Sequence, residues 1–489
     1  MHSILWILPI LGVVLALIAV TRTIILQARS KDQQWDTTDL PVIQDPIQAA
    51  QRLAEAVTYA TIAAPDWSET DFTTFNDFHT FLHANYPQTF SKLEVLDAGP
   101  HNIVLRWPGS DTTLLPALLL AHQDVVPASS PDEWTYPPFS KQIAEGYVWG
   151  RGSFDAKGQL VAIMEALETL VENSHKPKRT WYIAFGCDEE IRGSHGAATI
   201  AQYFKSQHLS FAFVLDEGGV VAEGFIPSLP HPVAVIGIAE KGDVNVKLTC
   251  IREGGHSSSP DNPTALGILG RAIWRLESKL PPVIMTAPVR LMLTTLGLQA
   301  PFLLALPLLN LWLFKPLIAL AFRASPTMNA LLRNTVAVTM AQGSEAPNVI
   351  ANQAEAVANL RLVPGQSAQQ ALAWVNRRIN DTRVTSTVME RTLRSECSSI
   401  DGPEFTLLTR AIKRVFPASI PTPYLMTGGT DAIWYEPMSR QVYRFTPACM
   451  NTKELHRMHN RDERFSVENL KKATQFYITL ISLDTEILS

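Results

Sequence analysis

The stretch LLPALLLAHQDVVP, residues 114–127, is an apolar run that stops abruptly at His122-Gln123-Asp124. Leu114 to Ala121 reads as a short buried strand. Two further apolar runs, Trp181 to Phe185 and Phe211 to Leu215, also end directly in acids, at Gly186-Cys187-Asp188-Glu189-Glu190 and Asp216-Glu217-Gly218-Gly219. From about Asp45 such strands alternate with helical segments, which is the signature of an α/β sheet. Ligands of open α/β sheets bind at the carboxyl ends of the strands. Three consecutive strand ends bearing acids or histidine therefore mark a candidate site.

A strand period of two aims His122 and Asp124 to the same side, which suits a metal-bound histidine with a carboxylate behind it. Alone the triplet says little, because H-x-D occurs by chance. The next group, Gly150-Arg151-Gly152-Ser153-Phe154-Asp155-Ala156-Lys157-Gly158, opens a patterned helix from Gln159 to Glu172. A glycine-rich turn is an ordinary tight connection, yet it also presents Asp155 as a carboxylate able to bridge two cations. Asp188-Glu189-Glu190 reads blandly as a solvated acidic loop. The sharper reading divides the labour between a metal ligand and a base.

At 489 residues the chain is long enough for two domains, each with its own core. A net charge of -5 offers no electrostatic footprint for nucleic acid. The four cysteines, Cys187, Cys250, Cys397 and Cys449, form no C-x-x-C pair, so any metal here relies on histidine and carboxylate.

Near Gly242 the pattern becomes β-α-β-β-α-β: Val244 to Ile251, a helix from Thr264 to Lys279, Thr335 to Gln342, Ala354 to Leu362, a helix from Ala368 to Ile379, and Val384 to Glu390. That order is a ferredoxin-like α+β module. Helix and strand alternation then resumes, so the module reads as an insertion. Within it, Phe302 to Phe322 is almost wholly apolar, with breaks at Pro307 and Pro316. A second transmembrane helix is the obvious reading, but strands of one module must pair from either side of it. A broken hydrophobic hairpin that dips into the membrane interface or lines an apolar channel fits better, with Leu311, Trp312 and Phe314 as its expected contributors.

At the N-terminus, Ile4 to Val20 is uncharged, and Ile24 to Leu26 resumes the run after Thr21-Arg22-Thr23. Together they suffice to span a bilayer. No lysine or arginine precedes the run, which favours a single-pass membrane anchor over a cleaved signal peptide. Arg22, Arg29 and Lys31 follow it, so the positive-inside rule places the main domain in the cytoplasm. Gln27 to Gln44 reads as a polar stalk.

The motifs together resemble the carboxypeptidase S and aminoacylase family of di-zinc metallopeptidases. They are H-x-D-V-V-P at His122, G-R-G-x-x-D-x-K at Gly150, D-E-E at Asp188, D-E-G-G at Asp216, G-G-H-S-S-x-P at Gly254, P-N-V-I at Pro347, Arg361 before Pro364-Gly365, G-G-T-D-A at Gly428 and H-N-R-D-E-R at His459. The branch they resemble most is that of the N-fatty-acyl-amino acid synthase/hydrolases and carboxypeptidase S.

The resemblance implies an α/β catalytic domain, a mixed sheet between helices, carrying an inserted ferredoxin-like lid. Its expected boundaries are 1–44 for anchor and stalk, 45–241 and 393–489 for the catalytic domain, and 242–392 for the lid with its hydrophobic insertion at 280–333. It further implies two zinc ions per subunit and cleavage of N-acyl amino acids or short peptides. Asp155 would bridge the metals, with His122 and Asp216 on one zinc and Glu190 and His459 on the other. Glu189 would be the general base and Asp124 would orient His122. His256 would stabilise the oxyanion, often from the partner subunit of a homodimer formed through the lid, while Asn348 and Arg361 would hold the substrate carboxylate. Glu217 beside Asp216, and His456 beside His459, are rival ligands. Cys187 and Arg192 depart from the family pattern, at positions that are not ligands. A Gly-x or dipeptide carboxypeptidase and an inactive membrane binding protein on the same fold are the alternative functions.

Overall fold

Alternate side chains of the strand Ala117–His122 are buried on opposite faces. Leu118 and Leu120 pack with the helix Ala197–Ser206, and Leu119 and Ala121 with the helix Lys157–Glu172. A strand covered on both faces belongs mid-sheet. In the computed structural model, which describes residues 2–30, 45–226, 229–389 and 395–488, it lies between Trp181–Gly186 and Phe213–Glu223 and parallel to both. Eight strands make this mixed sheet, in the order Glu94–Leu96, Ile103–Trp107, Trp181–Gly186, Ala117–His122, Phe213–Glu223, Val442–Asn451, Val233–Glu240 and Ile420–Met426. The helices Lys157–Glu172 and Val467–Leu488 share the larger core on one face.

Two strand limits differ from expectation, each for a physical reason. Pro116 has no N–H for the ladder, so the strand begins at Ala117 rather than Leu114. Phe213–Glu223 does not stop at Leu215, because its pairing with Val442–Asn451 continues to Glu223. Asp216 and Glu217 therefore stand inside a strand, where neighbours face opposite sides.

The chain leaves this sheet for a four-stranded antiparallel one, ordered Thr335–Gln342, Gln353–Leu362, Gly242–Ile251, Val384–Val388. Burial in Gly242–Ile251 alternates residue by residue. Val244, Val246 and Leu248 face the helices Ala265–Glu277 and Ala368–Ile379, while Asp243, Asn245 and Lys247 take the other side. This is the ferredoxin-like lid.

The hydrophobic insertion forms the helices Ala287–Gln299, Phe302–Leu309, Leu311–Phe322 and Pro326–Leu331. They build a core with Leu425 of the strand Ile420–Met426, and the middle two are bent by 108° about Asn310. At the N-terminus His2–Ser30 is one helix, so Gln27 to Ser30 extend it rather than starting a stalk. The rest of the stalk, Glu390 and the boundary at 392 lie outside the described residues. Pro9–Ser30 is long and apolar enough to cross a membrane, a test that a signal sequence also passes.

Arg444 is fully buried in the strand Val442–Asn451 and donates from Nε to Glu240 and from Nη2 to Glu436, each at 2.9 Å. Removing one member of a buried ionic cluster strands the others without compensation. Arg444→Met is expected to lower unfolding free energy by about 3–5 kcal/mol, read from urea denaturation.

Candidate metal centre

His122 ends the central strand, and its Nδ1 lies 2.9 Å from the backbone oxygen of Asp124. A proton on Nδ1 satisfies that acceptor and leaves the Nε2 lone pair facing inward. There it meets the carboxylates of Asp155 at 3.0 Å and Glu217 at 3.3 Å. The other oxygen of Asp155 lies 2.9 Å from Nε2 of His459, which also stands 3.2 Å from Glu190. One carboxylate thus spans two imidazoles, and each imidazole has a second carboxylate beside it.

The ligand atoms of His122, Asp155 and Glu190 lie within 4.8 Å of one another, as do those of His122, Glu189 and Glu217. Backbone features hold this geometry. Gly150 has φ +138°, and a Cβ there would sit 2.4 Å from Val57 and 2.6 Å from the carbonyl of Pro138, so the loop before Asp155 packs closely only with glycine. Asp124 accepts the backbone N–H groups of Glu189 and Glu190, at 3.0 Å each, and stands 3.4 Å from His122. It fixes the histidine and the acidic turn together. Asp188 accepts from His195 and Gly196 instead, at 2.8 and 2.7 Å, and so caps the following turn.

Electrostatics follow from this crowding. Burial opposes protonation of His122, yet Glu217, Asp124 and Asp155 outweigh it and raise its pKa well above the imidazole norm. Burial likewise opposes ionisation of Asp155, but His122 and His459 hold its carboxyl below the usual range. Burial, with the charge of Asp155, pushes Glu217 up to about 7. Burial pushes Glu189 well up, with Glu217, Asp431 and Glu190 adding to it. The buried Oε1 of Glu190 accepts no hydrogen bond and has His459 in ion-pair contact at 3.2 Å. A surplus of buried carboxylates, inward imidazole nitrogens and an oxygen without a hydrogen bond is what divalent cations satisfy, and this oxygen and nitrogen donor set without thiolate suits zinc, manganese or cobalt.

The strand parity separates the two rival acids. Both oxygens of Asp216 are taken by backbone N–H groups, those of Glu217 and Ala432 at 2.8 and 2.7 Å, whereas the side chain of Glu217 reaches His122. The expected pairing of Asp216 with His122 is thus replaced, in position, by Glu217. His456 lines an apolar cavity rather than joining the cluster. His256 and Asn348 are not in the cluster either. His256 pairs with Val349 in a small two-stranded ribbon of the lid, and the carbonyl of Asn348 accepts from Ser257. Arg361, on the lid strand Gln353–Leu362, makes a long 3.7 Å contact with Asp243 and comes within 4.0 Å of the Cβ position of Gly429.

The residue given no role in advance is Glu463. Fully buried, it pairs with Arg151 at 2.5 Å and accepts from the backbone N–H groups of Phe154 and Asp155 at 3.0 and 3.2 Å. It therefore aims the loop that carries Asp155, and its only signal in the sequence is its place in H-N-R-D-E-R.

Chemistry at such a centre is metal-dependent hydrolysis of amide and peptide bonds. Residues 118–483 match the model of peptidase family M20/M25/M40, and the chain belongs to that family. It is 38% identical over 440 residues to probable carboxypeptidase S-like 2 of Dictyostelium discoideum, covering 89% of this chain and 85% of that one. It is 37% identical over 440 residues to the N-fatty-acyl-amino acid synthase/hydrolase PM20D1 of Xenopus tropicalis, with the same coverage of 89% and 85%. Among solved structures, the M20 family metallo-carboxypeptidase Sso-CP2 of Sulfolobus solfataricus superposes with a TM-score of 0.64 at 18% identity, covering 90% of this chain and 99% of that one. YXEP of Bacillus subtilis, a dinuclear metal-binding M20 peptidase, gives 0.55 at 15% identity with coverage of 90% and 99%.

Glu463→Gln keeps the shape but removes the charge paired with Arg151. Because outer partners of metal ligands typically carry a 10–100-fold effect, metal affinity is expected to fall by roughly tenfold or more while far-ultraviolet circular dichroism stays unchanged. Competition with a chelating dye measures it.

Proposed function

We propose that this protein is a two-zinc hydrolase of N-acyl amino acids with fatty acyl chains, also able to run the reaction towards amide formation. The observation that carries the reading is an apolar cavity of ≈ 580 Å³ whose lining includes chain neighbours of the site residues. Its lining includes Gly218, which follows Glu217 in the chain, and His456 and Met458, which precede His459, together with Met292, Leu304, Phe322 and Met328 of the insertion. Cavities of roughly 300–1,000 Å³ are the usual size for small-molecule sites. A peptide side chain has no need of so long an apolar wall; an acyl chain does. Leu311, Trp312 and Phe314, the expected contributors, are not in this lining. Leu311 and Phe314 pack half-buried against the insertion's own core, and Trp312 is exposed.

His122 and Glu217 would hold one ion, Glu190 and His459 the other, with Asp155 between them. Bound there, the ions supply Lewis acidity and lower the pKa of water. Glu189 takes the proton of the attacking water and passes it to the leaving nitrogen. Asp124 holds His122 in the tautomer that leaves Nε2 free. Arg361, at the Gly428-Gly429 loop, and Asn348 would receive the amino-acid carboxylate, and His256 of the lid would meet the oxyanion once the lid or a second subunit brings it near. The N-terminal helix is read as a retained anchor, because its last third packs into the insertion through side-chain hydrogen bonds from Gln27 and Asn310.

The name of the Dictyostelium relative supports a second reading, a carboxypeptidase acting on short peptides. Comparing N-oleoyl, N-acetyl and glycyl amino acids as substrates of the zinc-loaded enzyme decides between them. Long-chain acyl substrates are expected to give the highest kcat/KM, and a preference for glycyl peptides would replace this proposal with the peptidase. Chelation should abolish turnover and zinc restore it.

Glu189→Gln is expected to retain metal and lose at least about a hundredfold in kcat, since general-base catalysis contributes that much or more. Metal content and rate are measured on one preparation; a near-normal rate overturns the role. Arg361→Ala should raise KM for acids and leave the corresponding amides little changed, because guanidinium binds carboxylate as a fork.

A further inference from the structure

The helices Phe302–Leu309 and Leu311–Phe322 have two apolar sides. Leu304 and Leu308, one turn apart, line the acyl cavity together with Phe322. On the outside, Leu303 is 84% exposed, Leu320 66%, Leu317 57% and Trp312 51%. Large apolar side chains left exposed along both helices call for a partner.

The N-terminal helix says what covers them. Asn310, at the bend, is fully buried and donates to the hydroxyl of Thr23 at 2.9 Å and to the carbonyl of Ala19 at 3.2 Å. Thr23 is fully buried too. Gln27 donates to the carbonyl of Ala300 at 2.7 Å, where the insertion turns from one helix to the next. Beyond this docked third, Ile10, Leu11, Val13, Leu17 and Ile18 are exposed with no charge among them, a surface fit for the hydrocarbon of a bilayer.

Arg22 sets the level. It is exposed and adjoins Thr23, and a guanidinium on a membrane helix reaches the headgroups by snorkelling. The turn at Arg22–Thr23, and Asn310 tied to it, therefore stand near the headgroup boundary. Helices at that boundary sink their apolar face about 5–10 Å. Trp312 suits it, as indole favours the interface, and the exposed Lys315 and Arg323 suit anionic headgroups.

We propose that the bent helix pair Phe302–Phe322 lies in the bilayer interface beside the N-terminal helix, as the wall between membrane and acyl cavity, so that acyl chains enter from the lipid. The route for the chain rests on the N-acyl amino acid reading above; the membrane seat does not.

The test uses the full-length, zinc-loaded chain in phosphatidylcholine–phosphatidylglycerol vesicles. Single cysteines at Leu303→Cys and Leu320→Cys, in a Cys397→Ser/Cys449→Ser background, carry an environment-sensitive fluorophore. Quenching by brominated lipid is expected at both, and not at Ser206→Cys on the catalytic body. Absence of quenching at both sites in vesicle-bound protein overturns the seat. In a second arm, Leu303→Lys/Leu320→Lys, which spares the cavity lining, should lower hydrolysis of vesicle-borne N-oleoyl amino acids by about tenfold or more and leave soluble N-acetyl amino acids unchanged. Equal losses on both overturn the lipid route. Quenching without any hydrolysis of fatty N-acyl amino acids would remove the substrate reading and leave the seat standing.

Discussion

Asp155 lies between two imidazoles, 3.0 Å from His122 and 2.9 Å from His459, and the surrounding structure is arranged to keep it there. The histidines come from sequence positions far apart, one at the end of the central strand and one from the loop after Thr452–Leu455. Their convergence depends on the parallel pairing of Phe213–Glu223 with Val442–Asn451, which brings the last part of the chain beside the first. Glu463, four residues beyond His459, closes the circuit by gripping the loop that carries Asp155.

Charge explains why so many buried groups are needed. A carboxylate cluster that attracts cations would repel itself without them, and several buried acids outside the cluster are tied to backbone N–H groups or to an arginine. Asp216 takes the N–H groups of Glu217 and Ala432, Asp188 those of His195 and Gly196, and Glu240 the guanidinium of Arg444. These ties also fix the loop around Thr430, whose N–H is 3.2 Å from Glu240, and hence the edge of the site that Arg361 approaches.

Much of this was legible in the sequence because its signals are local. Apolar runs ending in acids gave the central strands, and the alternation in Val244 to Ile251 gave the lid sheet, with one face covered and one polar. The choice between Asp216 and Glu217 was not local. Which one faces His122 depends on whether the strand ends before them, and that is decided by a partner strand more than two hundred residues away. Leu303 and Leu304 pose the same difficulty in sharper form. Both are leucines in a segment apolar on all sides, so no periodicity tells the outer one from the one lining the cavity. Asp462 and Glu463 are equally mute as a pair. The first accepts from Thr135 at the surface, and the second is buried behind Asp155.

Membrane tethers are commonly interchangeable parts, joined to an enzyme by a linker that carries no information. The hydrogen bonds from Asn310 to Ala19 and Thr23 tie the N-terminal helix, proposed above as an anchor, to the bend of the insertion. A chain cut after Ser30, or grafted onto a foreign tether, would take these two acceptors from the amide of Asn310 and leave it the carbonyl of Leu306. The bend that this amide pins is also the corner from which the cavity helices diverge. On the reading proposed above, address and substrate range are therefore inherited as one trait, and a version of this enzyme released into solution is a different catalyst, not the same one set free.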